Sequence, residues 1–97
     1  MRILQFRVEG VVQGVGFRAF TVRTAIEHDL AGFVRNVRDG SVEGRVGGRA
    51  SDVEAFLAAL REGPPGAVVD ALLTEAASPR SLPRPFQVQP TSDTPMT

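Results

Sequence analysis

Nine residues, Gly10-Val11-Val12-Gln13-Gly14-Val15-Gly16-Phe17-Arg18, set three glycines and one arginine between a strand-like alternation and an amphipathic stretch. A loop joining a strand to a helix N-terminus exposes backbone N–H groups that have no intrahelical partner, and the helix dipole adds partial positive charge there. It is a natural anion site. Glycine at 10, 14 and 16 removes side chains that would block close approach, so successive amides can turn toward one point. Arg18 adds a permanent charge on a planar fork that matches two phosphate oxygens. The constellation favours a tetrahedral dianion over a lone carboxylate. On spacing alone the plainer reading stays open, in which the glycines make a tight turn and Arg18 is solvated in the first helical turn.

Two other phosphate loops share parts of this pattern. Gly14 to Ala19 fits G-x-G-x-x-G/A, and Asp39 follows about twenty residues on, as in the dinucleotide fingerprint. Asp39, however, falls in an expected hairpin turn, and 97 residues cannot supply a doubly wound sheet. The Walker-type loop needs a lysine after its second glycine. All eleven basic residues here are arginine, which excludes it.

The flanking sequence indicates what must position the loop. Leu4, Phe6 and Val8 alternate with Gln5, Arg7 and Glu9, the period of a half-buried strand. From Phe17 to Leu30 the period becomes helical, with Ala19, Val22, Ala25, Ile26 and Leu30 on the expected core face. Phe33 to Arg38 and Ser41 to Val46 read as two antiparallel strands joined through Asp39-Gly40. The first of this pair is expected to lie beside the opening strand. Ser51-Asp52-Val53-Glu54 has the form of a capping box, and Val53, Phe56, Leu57 and Leu60 follow on one helical face as far as Glu62. Ala67 to Ala76 is a further strand, although Ala71-Leu72-Leu73 leaves its facing ambiguous. A loop from Ser78 to Pro85 and a short strand at Phe86 to Gln89 complete the order. Residues 1–90 form one expected domain, and the polar segment 91–97 is expected to be a flexible tail. The resulting β-α-β-β-α-β order is the split βαβ arrangement of an α+β, ferredoxin-like sandwich, an antiparallel sheet of four to five strands with both helices on one face. That superfold carries many functions, so the chemistry must come from the site.

Composition narrows the functions further. Cysteine is absent, which removes disulfides, thiolate nucleophiles and cysteine-type zinc sites, and a cytoplasmic location is expected. The N-terminus shows no leader pattern, and eighteen apolar residues never run together. Formal charge is zero, without the diffuse basic field of a nucleic-acid binder. Asp39, Glu43 and Asp52 show no metal-like spacing. His28, the single histidine, is expected on the surface near the end of the first helix. Arg35, Arg38, Arg45 and Arg49 are expected on a solvated face.

The segment from Gly10 to Arg18 resembles the first signature of the acylphosphatases, and Gly32-Phe33-Val34-Arg35-Asn36 with Gly40, Val42 and Gly48 resembles the second. The two motifs occur in the family's order, and the resemblance covers the expected ordered elements up to Gln89. It implies a small ferredoxin-like hydrolase that cleaves acyl phosphates, R–CO–O–PO₃²⁻, to a carboxylate and inorganic phosphate. No metal and no organic cofactor are implied. By the same resemblance the amides of Val12, Gln13, Gly14, Val15, Gly16, Phe17 and Arg18 cradle the phosphoryl group with the Arg18 side chain, and Asn36 positions the attacking water. The implied protein acts on a small molecule as a monomer, without nucleic-acid or membrane partners.

Asn36 cannot take a proton at neutral pH, so this chemistry must proceed without a general base. Phosphoryl transfer has a loose transition state in most analyses, and a carboxylate leaving group needs no protonation. Positioning and charge stabilisation are what remain. The alternative is an accessory phosphate-binding or carbamoyl-phosphate-handling domain without independent turnover, as in the large hydrogenase-maturation carbamoyltransferases. Nothing follows Thr97, so a free-standing enzyme is expected. A single-strand RNA module on the same superfold would want stacking aromatics on its central strands, and tyrosine and tryptophan are absent.

Overall fold

The structure, a computed structural model, describes residues 1–78 and 81–96. Pro79 and Arg80 of the expected Ser78–Pro85 loop, and Thr97 of the expected tail, lie outside the described residues. The chain runs β1 (Arg2–Val11), α1 (Phe17–Glu27), β2 (Ala31–Asn36), β3 (Val42–Gly48), α2 (Ala50–Glu62), β4 (Val68–Ala76) and β5 (Gln87–Val88). One sheet holds all five strands in the order β4-β1-β3-β2-β5. The first four pair antiparallel, and β5 pairs parallel with β2. This is the ferredoxin-like order expected of a split βαβ unit.

The expectation that β2 lies beside β1 is corrected, because β3 stands between them. Both neighbours are antiparallel to β3, so β1 and β2 run in the same direction. Their C-terminal ends therefore meet the same edge of the sheet, where the Gly10–Arg18 loop begins.

Leu4, Phe6 and Val8 are buried, as their alternation requires, and form one core with Val34, Val42 and Val46 of the sheet and Val53, Phe56, Leu57 and Leu60 of α2. Phe56 is the joint of this core. Its ring meets Phe6 edge-on at a centroid distance of 5.5 Å and Phe86 at 5.9 Å, linking α2 to β1 and to the entry of β5.

Helix α1 departs from its expected facing. It ends at Glu27, and its buried residues are Phe17, Thr21, Thr24 and Ala25, whereas Ala19 and Ile26 are exposed and Val22 is half-buried. Hydrogen bonding explains the rotation. Thr21 Oγ1 donates to the Phe17 carbonyl at 2.8 Å and Thr24 Oγ1 to that of Phe20 at 2.9 Å, which satisfies both hydroxyls inside the helix and lets the threonines enter the core. Leu30 is buried as expected, from the turn beyond the helix.

The capping box is not formed. Arg49 is the N-cap of α2 without a side-chain cap bond, Ser51 lies inside the helix, and Glu54 instead accepts from Arg2 Nη1 at 2.7 Å. The ambiguous facing of β4 comes from a bulge. Its register with β1 steps from Glu9↔Ala71 to Gly10↔Val69, so Asp70 is left over, and Val69 and Leu72 both pack on the core although three residues apart. At Gly10 a Cβ would collide with the Val68 carbonyl. Beyond β5, Gln89 N donates to the Val34 carbonyl, and within residues 91–96 Ser92 N donates to the Asn36 carbonyl.

Phe56→Ala is expected to lower unfolding stability by about 3–5 kcal/mol, the cost of a buried aromatic truncated to alanine. Urea denaturation followed by circular dichroism checks this, and a loss near zero would mean that the joint is not where the layers are held.

Candidate active site

The loop begins at the bulged end of β1 and stops at Phe17, whose buried ring fixes the first turn of α1. Gly14 and Gly16 have φ of 76° and 78°, the left-handed region, and Gly16 is the N-cap of the helix. A Cβ at either position would meet nothing within 4 Å, so glycine answers to the backbone dihedral and the loop's surface is open. Among the described residues, no amide from Val12 to Gly16 donates to another backbone group, while the Gly16 carbonyl accepts from Phe20 N at 3.0 Å. A row of N–H groups is thus available at the positive end of a helix.

Arg18, half-buried, forms no ion pair among the described residues. It shares a cleft of about 350 Å³ with Val12, Gln13, Gly14, Gly16, Phe17, Ala19, Asn36 and Val88. Two residues named from widely separated motifs, Arg18 and Asn36, therefore line one cavity. Val15 does not line it, because its side chain packs against the core. Arg18 is the only charged residue in the lining. Asn36 ends β2, and its Oδ1 is buried without a hydrogen-bond partner. A buried acceptor left so costs about 1–3 kcal/mol, which makes it a place for a bound donor.

The side chain of Gln13 has a role that sequence reasoning missed, since it counted only the amide. Its Nε2 donates to the Val37 carbonyl at 2.7 Å and to that of Ser41 at 2.9 Å. The phosphate-type loop is thereby tied to the turn that follows Asn36. The one hint in the sequence was a long amide side chain among glycines.

That turn is itself fixed. Val37 N bonds the Ser41 carbonyl at 2.9 Å, and Asp39 Oδ1 accepts from Ser41 N at 2.9 Å and from Ser41 Oγ at 2.7 Å. Arg7 Nη2 donates to Asp39 Oδ2 at 2.6 Å. The Ser41 hydroxyl and amide, and after them Arg7, hold the Asp39 carboxyl below its ordinary value. Stability from these bonds is present above the ordinary aspartate range and is lost as pH falls through the lowered pKa.

His28 lies outside the cleft, with Nδ1 3.4 Å from Asp52 Oδ1. The expected solvated arginine face is corrected in part. Arg35 pairs with Glu43, which is 2% exposed, at 2.6 Å, and Arg45 is half-buried with Nε unpartnered, whereas Arg38 and Arg49 are exposed. Among the described residues no group of three or more His, Cys, Asp or Glu side chains could hold a metal ion.

The βαββαβ sheet, with unbonded loop amides at a helix N-terminus and Arg18 in the same cleft, defines a small ferredoxin-like protein with a candidate anion site. Residues 4–88 match the family model described as Acylphosphatase, and the chain belongs to the acylphosphatase family. It is similar to an acylphosphatase of Rhizobium etli, 41% identical over 85 residues, covering 88% of this chain and 90% of the relative. The crystal structure of acylphosphatase from Bacillus subtilis superposes with a TM-score of 0.87 at 33% identity, covering 92% of this chain and 99% of that one. T. kodakarensis HypF matches with a TM-score of 0.83 at 37% identity over 97% of this chain, which corresponds to 12% of HypF.

Gln13→Met keeps the side chain's length but cannot donate. It is expected to lower unfolding stability by about 1–3 kcal/mol and to weaken inhibition by inorganic phosphate several-fold, since the loop loses its tether. Unfolding and phosphate inhibition both unchanged would show that the two bonds do not hold the loop.

Proposed function

We propose that this chain hydrolyses acyl phosphates with the loop amides of residues 12–18 and the Arg18 guanidinium gripping the phosphoryl group and Asn36 holding the attacking water. One observation carries the reading: the loop with its open amides, the unpaired Arg18 and Asn36, whose Oδ1 is buried without a partner, line a single cleft that has no carboxylate and no imidazole among the described residues.

The water oxygen bonds to phosphorus as the bond between phosphorus and the acyl oxygen breaks. The carboxylate leaves with the electron pair, and the water's proton passes to a phosphoryl oxygen of the substrate. In a loose transition state, charge is spread over the equatorial oxygens and develops on the leaving group. Fixed amides and the Arg18 fork stabilise the equatorial oxygens without reorganising. Asn36 Oδ1 accepts a hydrogen bond from the water and so aims its lone pair, a contribution of orientation rather than basicity. On the acyl side the cleft offers Ala19 and Val88, neither charged, which supports loose selectivity among acyl groups. The lining carries carboxamide oxygens but, among the described residues, no carboxylate, which supports a reaction carried by the protein alone.

A small acyl phosphate is the proposed partner, and the protein is proposed to act as a cytoplasmic monomer without nucleic acid or membrane. Zero formal charge and a cysteine-free composition support this, and no helix among the described residues is long and apolar enough to cross a membrane. The similarity to a segment of HypF supports a second reading, an accessory domain that holds acyl or carbamoyl phosphate without turnover of its own.

Arg18→Ala is expected to lower kcat/KM by about 10²–10³ and to abolish phosphate inhibition, and Arg18→Lys to restore little, because a point charge cannot form the paired bonds. Asn36→Ala is expected to lower kcat by about 10² or more while phosphate inhibition changes much less. Steady-state hydrolysis of an aryl acyl phosphate with phosphate as competitor reads all three variants. Near-normal turnover in Arg18→Lys would sink the fork argument, and a wild type that binds phosphate without hydrolysing any acyl phosphate would establish the accessory domain. Activity should also survive EDTA. Its loss on chelation and return with one divalent metal would contradict the metal-free assignment.

A further inference from the structure

We propose that residues 89–96, which lie beyond the family match ending at Val88, form a strap that positions Asn36 for catalysis, with the Ser92 amide as its acting group. The inference rests on the role given to Asn36 above.

Alternate residues of a strand direct their N–H and C=O groups to opposite edges. Along β2 and its extension, the even-numbered residues all face the C-terminal segment. Gly32 N donates to the Pro83 carbonyl at 2.8 Å, Gln89 N to that of Val34 at 2.9 Å, Ser92 N to that of Asn36 at 2.9 Å, and Arg38 N to that of Ser92 at 2.9 Å. The odd-numbered Val37 turns the other way, its N–H bonding the Ser41 carbonyl and its carbonyl accepting from Gln13 Nε2. Strand β3 therefore does not serve the Asn36 carbonyl. Ser92 does, through a parallel bridge opposite Val37.

The strap is fixed at both ends. Its start continues β5, whose Val88 pairs with Val34 and lines the cleft. Its far end is the Met96 amide, which donates to Glu43 Oε1 at 2.9 Å, while Glu43 Oε2 accepts from Arg35 Nε at 2.7 Å. Glu43 is buried, so this amide partners a carboxylate that water does not serve. Between the ends, Ser92 Oγ donates to the Thr94 carbonyl at 2.7 Å and turns the chain toward Glu43. The Arg38–Asp93 pair at 2.8 Å is exposed on both sides and adds little.

Asn36 is the last residue of β2, where the ladder ends and the turn begins. Its side chain can hold a water in one direction only if its own peptide plane is fixed. Gln13 holds the next carbonyl from the loop side and Ser92 holds the Asn36 carbonyl from the outer edge. Ser92 is thus a positioning residue, touching no substrate.

Proline at 92 removes the N–H and alanine keeps it. Ser92→Pro, Ser92→Ala and a chain ending at Gln89 would each be made in the native sequence and in an Asn36→Ala background. For each, kcat on an aryl acyl phosphate, inhibition by inorganic phosphate and the urea midpoint would be measured. Ser92→Pro and the shortened chain are expected to lose about tenfold in kcat, within the range known for small misplacements of a reacting group. Phosphate inhibition should hold within about twofold, Ser92→Ala, which keeps the N–H but loses the Thr94 bond, should lose clearly less kcat than Ser92→Pro, and neither Ser92→Pro nor the shortened chain should lower kcat further once Asn36 is alanine. Equal fold-losses in both backgrounds would overturn the proposal, because a strap that merely stabilises the fold lowers active enzyme whatever stands at 36. Phosphate affinity falling in step with kcat would overturn it too, as would full activity in Ser92→Pro. If Asn36→Ala alone leaves kcat intact, the functional reading fails and the strap's role with it. If Asn36→Ala is impaired and Ser92→Pro is not, only the strap's role fails.

Discussion

Because β3 pairs with both β1 and β2, the two parallel strands that carry the site end at one edge of the sheet but two strand spacings apart, about 10 Å. The loop belongs to one strand and Asn36 to the other. On the proposed reading something must cross the start of β3 and hold the two parts in register, or a phosphoryl group gripped by the first would not meet a water held by the second. The five residues Val12–Gly16 make that crossing, and Gln13 fastens it by donating to the carbonyls on either side of the turn, Val37 and Ser41. The left-handed glycines and the bulge at Gly10 are consequences of the same constraint, since the chain must leave β1, pass over β3 and enter α1 with its amides still unspent.

Charge is distributed to suit this geometry. Arg35 is neutralised by Glu43, and Arg7 by Glu9 and Asp39. Arg18 pairs with no carboxylate among the described residues, and it stands in the first turn of a helix whose first turn contains no acid. A cation there opposes the helix dipole. The fold therefore holds several like partial charges together at a cost in stability, which the dianion proposed to bind there would offset. Ligand binding and stability are linked by that arrangement, because a group bound only by the folded state raises its stability by mass action.

The site was more legible in the sequence than the packing that supports it. Glycines with one arginine between a strand and a helix imply an anion loop from local backbone physics, and Asn36 followed from the second motif. Helix α1 was misread because hydropathy treats threonine as polar, whereas Thr21 and Thr24 satisfy their hydroxyls on carbonyls four residues back and turn inward. The facing of β4 could not be read because a bulge at Asp70 changes the parity of the strand midway. A capping box was expected at Ser51 because its pattern is local, but Glu54 finds Arg2 of β1, a partner 52 residues away. The side-chain bonds of Gln13 and the pairing of Ser92 with Asn36 join segments far apart in the chain, and no local period encodes them.

A hydrolase of this kind has few groups to which its rate can be assigned. On the proposed reading no base takes the water's proton and no acid helps a leaving group that needs none, so the remaining means are the direction of the water and the placement of fixed dipoles. Both depend on backbone geometry more than on side-chain reactivity. Hydrogen bonds accordingly fix the Asn36 and Val37 carbonyls and the Ser41 turn. Asn36 Oδ1, Arg18 and the loop amides are left without partners among the described residues, while the peptides that carry Asn36 are held from both sides. Partnerless groups of this kind need such support, since a partnerless polar group on a mobile backbone would turn to find solvent or a neighbour.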